Sequence, residues 1–187
     1  MKIVGRVGAD IIRPYSPRRE ISLLNEIKNQ LIDYEIITIT SQNFEQIFEV
    51  YDTNQDFFLL TQGKKATIES SISDIDALPP NCKINQKIYI GISKDGMAVG
   101  VLDLIEAYPE QTSFWIGLLL INASLHGKKI GSRLVEAIFA AAKVAGYKFA
   151  QLGVVENNIK GINFWQKHGF NILKHSGDIV IMERPVI

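Results

Sequence analysis

The stretch from Thr112 to Gly146 constrains the fold most. "TSFWIGLLLI" is apolar without alternation, which predicts a strand buried on both faces in the middle of a sheet. "NASLHGKKIGS" then leads straight into "KIGSRLVEAIFAAAKVAG". There Ile130, Leu134, Ile138, Ala141 and Ala145 fall on one helical stripe and Gly146 supplies a C-terminal cap. A buried strand, a glycine-bearing turn and an amphipathic helix in that order call for a sheet with helices packed against it.

The flanking segments supply the rest of that sheet. "KIYIGIS" and "MAVGVLDLIEA" surround Asp95-Gly96, a pair that accepts the positive φ of a tight hairpin turn, so residues 87 to 121 read as three antiparallel strands. "YEIITIT" alternates as an earlier strand. "KFAQLGVV" follows the long helix as a strand, and "FNILKH" with "DIVIMER" forms a last hairpin around Ser176-Gly177-Asp178. Helices are expected over "SPRREISLLNEIKNQLIDYE", with Ser16 as N-cap, Pro17 at the first helical position and Ile21, Leu24, Ile27 and Leu31 on one face. Others are expected over "SQNFEQIFEVY", over "ATIESSISDIDAL" as far as Pro79-Pro80, and over "NNIKGINFWQKHG" between Asn158 and Gly169. The fold class is mixed α/β, with a largely antiparallel central sheet flanked by helices.

Composition narrows the function. Lys plus Arg (20) balance Asp plus Glu (20), so no overall field favours nucleic acid or an anionic membrane, and any anion site is local. One cysteine, Cys82, precludes an intramolecular disulfide framework and suits a reducing compartment, and the cytoplasm is the expected location. The histidines, His126, His168 and His175, have no metal-ligand spacing, so no metal is expected. "MKIVGRVGADIIRPYSPRRE" carries charge at Arg6 and Asp10 without a long apolar run, unlike a signal peptide, and "FWIGLLLI" is too short to span a bilayer.

"LHGKKIGSRL" reads either as a phosphate cradle or as a helix start with two solvated lysines. At a helix N-terminus, unpaired N–H groups and the positive dipole end attract an anion. Gly127 and Gly131 allow close backbone approach, and Lys128 and Lys129 add charge. A Walker loop is excluded, because Asn122 stands where its first glycine belongs and Lys129 where Ser or Thr belongs. "IVGRVGAD" lacks the full dinucleotide pattern and runs into Pro14 and Pro17 instead of a helix.

From about Tyr34 onward, the order of elements and two motifs resemble the GNAT superfamily of acyl-CoA-dependent N-acyltransferases. "HGKKIG" lies in register with that family's Arg/Gln-x-x-Gly-x-Gly/Ala signature, with His126 at the Arg/Gln position and Lys129 at the first glycine. "LGVVENNIKGINFWQKHGF" is similar to its second motif through Asn158, Phe164, Lys167, Gly169 and Phe170, with Trp165 where tyrosine is usual. The resemblance implies a GNAT-like domain over residues 34–187. It leaves residues 1–33 as an N-terminal extension with an amphipathic helix, serving as a variation, a dimer contact or a lid.

The resemblance further implies that the fourth and fifth strands splay apart, with acetyl-CoA between them as co-substrate. Leu119, Leu120 and Ile121 would offer backbone groups to the pantetheine. The amides from Gly127 through Lys128, Lys129, Ile130 and Gly131 to Ser132 would hold the pyrophosphate beside His126. Asn158, Trp165 and Lys167 would border the cofactor, Asn158 also capping its helix, and Trp165 cannot act as the acid that a tyrosine can. The implied reaction is direct attack of a primary amine, which needs a base. Glu156 and Asp103 are the candidates, with Glu106 on the face opposite Asp103 by strand alternation. Tyr108 or Tyr147 could protonate the thiolate in place of water, and Phe57, Phe58, Tyr108 and Trp115 could wall an acceptor pocket. The expected acceptor is a small-molecule amine and the expected assembly a monomer or homodimer. Acetylation of a protein amino group, or a non-catalytic acyl-CoA-binding module, are the alternatives.

Overall fold

A computed structural model describes residues 22–187. The expected cap at Ser16 and Pro17 and the apolar Ile21 lie outside them. Within them the first helix, α1 (Leu23–Gln30), starts at Ser22, whose side chain accepts a hydrogen bond from the Asn25 amide. Leu23, Ile27 and Leu31 are its buried residues, while Leu24 packs at the margin.

Among the described residues, seven strands form one sheet: β1 (Glu35–Thr38), β2 (Lys87–Lys94), β3 (Met97–Glu106), β4 (Ser113–Ile121), β5 (Phe149–Val155), β6 (Asn171–Ser176) and β7 (Ile179–Pro185). Their spatial order is β1-β2-β3-β4-β5-β7-β6. All neighbours are antiparallel except β4 and β5, which are joined by α5 (Ile130–Ala145) and run parallel. Asp95 and Gly96 both take positive φ in the β2–β3 turn, and Gly146 closes α5 at φ +86°.

The sheet has two apolar faces. On one, Ile88, Ile90, Leu102 and Phe114 pack with α1 and with Leu134, Ile138 and Ala141 of α5. On the other, Val101 and Leu120 pack with Phe44, Ile47, Tyr51 and Phe58. That second layer comprises α2 (Glu45–Asp52), α3 (Gln55–Gln62) and the single turn α4 (Ile68–Ser71), with α6 (Ile159–Lys167) following β5. One element was not expected and one expectation needs correction. α3, between Asn54 and a left-handed Gly63, is a helix that periodicity did not single out. Residues 66–78 hold only α4 and a 3-10 turn (Ile72–Ile75), because Thr67 and Ser70 bond each other's backbone in a closed cap and Ser73 bonds the Ser70 carbonyl instead of extending the helix. Among the described residues no helix is long and apolar enough to cross a membrane.

Candidate active site

The parallel pair of β4 and β5 covers only Ser113–Ile116 against Phe149–Leu152. Beyond it β4 keeps β3 and β5 keeps β7, so a wedge opens between them. The end of β4 is therefore not buried on both faces as its apolar run suggests: Gly117 is exposed, and Leu118, Leu119 and Ile121 are half-buried.

Backbone direction along that open edge follows from one bond. The Asn122 amide donates to the Val99 carbonyl, so by alternation Leu120 faces β3 while Leu119 and Ile121 turn their backbone groups to the wedge. The Ile121 carbonyl is already engaged, by Asn54 Nδ2 at 2.8 Å and His126 Nε2 at 3.0 Å. Among the described residues nothing pairs with the outer edge of Leu119, Ile121 offers its N–H, and Leu120 offers nothing. Asn54, 7% exposed and also donating to the Val50 carbonyl, ties α3 to β4.

Two cavities occupy the wedge and meet at Phe57, Leu119, Asn158 and Trp165. The larger, about 920 Å3, runs over the start of α5 and is bordered by His126, Gly127, Lys129, Ile130, Gly131 and Ser132, with Lys160 and Lys167 opposite. Lys128 is not on its wall. Lys129 occupies the N-cap position of α5 at φ +62°, a left-handed conformation, and its side chain makes no capping bond. The first-turn amides of this 16-residue helix therefore face the cavity without a side-chain partner. A Cβ on Gly131 would sit 3.3 Å from the Phe164 ring. Charge, open amides and the missing Cβ together fit the pyrophosphate arm of a coenzyme A donor. Asn158 accepts from the Gly161 amide at 3.0 Å, so its capping role is formed while its side chain borders both cavities.

The smaller cavity, about 390 Å3, is walled by Phe57, Phe58, Asp74, Asp103, Leu118 and Val154, among others. Asp103 is 9% exposed and ion-paired to Lys87 at 3.0 Å, and its Oδ1 is buried with no hydrogen-bond partner among the described residues. Burial, opposed by Lys87, pushes its carboxyl up to about 6. Lys87 also donates to the Ala77 carbonyl. Asp74 accepts from the Tyr51 hydroxyl at 3.1 Å, and Tyr51 is in turn hydrogen-bonded to Tyr89. Burial raises the Asp74 carboxyl and holds both phenols well above their usual range, so the tyrosines stay neutral. Gly117 bulges out of β4 opposite this group, since Asp103 pairs with Leu118 and Leu104 with Ile116.

The other candidates fall elsewhere. Glu156 is exposed just past β5 and is on neither cavity wall, because the chain turns away there with its amide bonded to the Asp178 carbonyl. Glu106 faces the α5 side, accepting from the Tyr147 hydroxyl at 2.8 Å, which also removes Tyr147 from the wedge. Tyr108 and Trp115 pack edge to face, 5.7 Å apart, and line neither cavity. Trp165, 9% exposed, packs against Phe164 and Phe170 and presents an edge to both cavities. Sequence reasoning missed Asn54, Tyr51, Asp74, Lys87 and Tyr89. For Lys87 and Tyr89 the available signal was a polar residue within an otherwise apolar strand; Tyr51, Asn54 and Asp74, on helices and a turn, had none.

Comparison with known proteins agrees with this geometry. The acetyltransferase (GNAT) family profile matches residues 47–170. An acetyltransferase from Thermus thermophilus superposes with a TM-score of 0.70 at 24% identity, covering 81% of this chain and 96% of that one. The PaiA N-acetyltransferase of Thermoplasma acidophilum, solved with coenzyme A, gives 0.61 at 20% identity, covering 81% and 98%. Ard1 from Thermoplasma volcanium gives 0.58 at 18%, covering 83% and 99%. Among curated proteins there is no match. With a family profile spanning most of the wedge-forming elements and the same fold in those structures, the chain belongs to the GNAT acetyltransferase family.

Proposed function

We propose that the protein is an acetyl-CoA-dependent N-acetyltransferase whose acceptor is a small primary amine. The observation that carries this reading is the junction of two cavities at Leu119 and Trp165: one built for an anionic arm, the other holding a buried carboxylate. When bound, the donor supplies an electrophilic thioester carbonyl. Leu119 aligns it along the open edge of β4, the first turn of α5 holds its phosphates, and Trp165 keeps water from the junction.

An alkylamine with a pKa of about 10.4 arrives as an ammonium ion. Asp103 takes its proton, directly or through one water, and the free amine forms the C–N bond as the C–S bond breaks. The amine's second proton also leaves, so amide, thiol and one proton to solvent balance the reaction. Neither cavity wall carries a phenol among the described residues. The departing thiolate, whose thiol has a pKa of about 8.5, is protonated from water.

Thermal unfolding with acetyl-CoA, against NADH and ATP as controls, tests the donor. A rise specific to acetyl-CoA is expected, and Gly131→Glu, which places a carboxylate among the open amides, should weaken binding by about tenfold or more. Thiol release on adding amines then tests turnover. Binding without release for any amine would instead indicate a non-catalytic acyl-CoA-binding module, a reading to which Trp165 and Lys129 lend some support.

A further inference from the structure

The two cavities carry opposite charge. Among the described residues, Lys129, Lys160 and Lys167 stand around the larger against one carboxylate, Asp56. Among the described residues, the wall of the smaller carries Asp74 and Asp103 and no cationic side chain. The nearby ammonium of Lys87 is consumed by Asp103 and the Ala77 carbonyl, and its side chain is 2% exposed. With Lys87 balancing one of the two acids, the group as a whole is short of one positive charge. The same carboxylate keeps an Oδ1 that is buried and has no hydrogen-bond partner among the described residues.

We propose that the acceptor is a compact monoamine: one ammonium group on an apolar or aromatic body, with no carboxylate beside the amine. This rests on the N-acetyltransferase reading and narrows it. A single ammonium supplies the missing charge, and a second, as in a diamine, enters a cavity with no carboxylate left for it. A carboxylate on the ligand, as in an amino acid, meets Asp74 and Asp103 at close range in a low-dielectric pocket, where like charges repel strongly. Phe57, Phe58, Leu118 and Val154 receive the apolar body. At about 390 Å3 the cavity lies at the small end of ligand sites, which suits a molecule of this kind better than a chain terminus.

The test uses the full chain. Calorimetry first establishes whether acetyl-CoA binds; if it does not, the N-acetyltransferase reading falls and this one with it. If it binds, initial rates of thiol release are compared for phenethylamine against phenylalanine, butylamine against putrescine, and a short peptide with a free N-terminus. The monoamine is expected to exceed the amino acid by about 100-fold in kcat/KM and to exceed the diamine as well. In Asp74→Asn the preference for phenethylamine over phenylalanine should shrink by about tenfold, chiefly through KM, with acetyl-CoA affinity unchanged as the control for folding. Equal or better turnover of phenylalanine, putrescine or the peptide, or binding of acetyl-CoA with no monoamine turned over, would overturn the assignment while leaving the donor site intact.

Discussion

Lys129 holds a left-handed backbone conformation that a lysine adopts at a cost of about 1 kcal/mol and a glycine adopts freely. Lys129→Gly should therefore raise the unfolding temperature, by an amount corresponding to about 1 kcal/mol in a denaturant titration, while removing one of the cations facing the donor. A second residue couples stability and activity in opposite senses. Burial pushes the folded carboxyl of Asp103 up to about 6, above its usual 3.8. Its contribution to stability is full below the unfolded value and is lost as pH rises through 6, leaving the fold less stable above that pH than an unshifted group would, which a denaturant titration at pH 5 and pH 8 would show. Acting as a base, the same group must be ionised, so kcat/KM should climb as pH rises through 6. Asp103→Asn should remove that limb of the pH profile and lower kcat/KM by about 10²–10⁴-fold. It also strands Lys87 in a buried site, so the double variant with Lys87→Met is the control: stability returns and activity does not.

At the scale of elements, the bulge in β4 decides where the acid sits. A Cβ on Gly117 would lie 2.6 Å from Asp103 Oδ2, which is fixed by Lys87. Gly117→Ala should push the carboxylate off its partner, destabilise the protein by about 1–3 kcal/mol in chemical unfolding, and depress kcat/KM with little change in coenzyme A affinity. A second bulge explains why the acidic cavity was not legible in the sequence. Counting back from the Asp95-Gly96 turn pairs Lys94 with Met97 and Ser93 with Ala98, and the same count would set Tyr89 against Leu102. The irregularity between Ile92 and Ser93 slips the register by one, so that Tyr89 faces Asp103 and both look toward α2 and α3. By contrast α5 was plain from its stripe and its capping glycine, because a 16-residue amphipathic helix leaves a local record. α3 left almost none. Its Phe57, Phe58, Leu59 and Leu60 run together without a clear period, and only Phe58 is buried.

For the molecule as a whole, the order of the strands and of every helix but α3 could be read from hydrophobic period and turn residues, and the donor arm from two motifs near each other in the chain. Of the acceptor side only Asp103, Phe57 and Phe58 could be named from the sequence, and the polar group around Asp103 could not, since Tyr51, Asp74, Lys87 and Asp103 come from four separate segments that only the folded chain brings together. The same sheet contains a hazard of its own. A strand deprived of a neighbour halfway along its length is the kind of edge at which proteins stick to one another. Here that edge lies in the middle of the sheet at the bottom of a crevice, with residues 53–60 on one bank and residues 157–167 on the other. A foreign strand would have to thread lengthwise between the banks, whereas a thin, flexible molecule can lie along the floor. The chain thereby keeps a main-chain docking edge permanently open without inviting aggregation, and it needs none of the charged or proline-studded borders that exposed sheet edges usually carry.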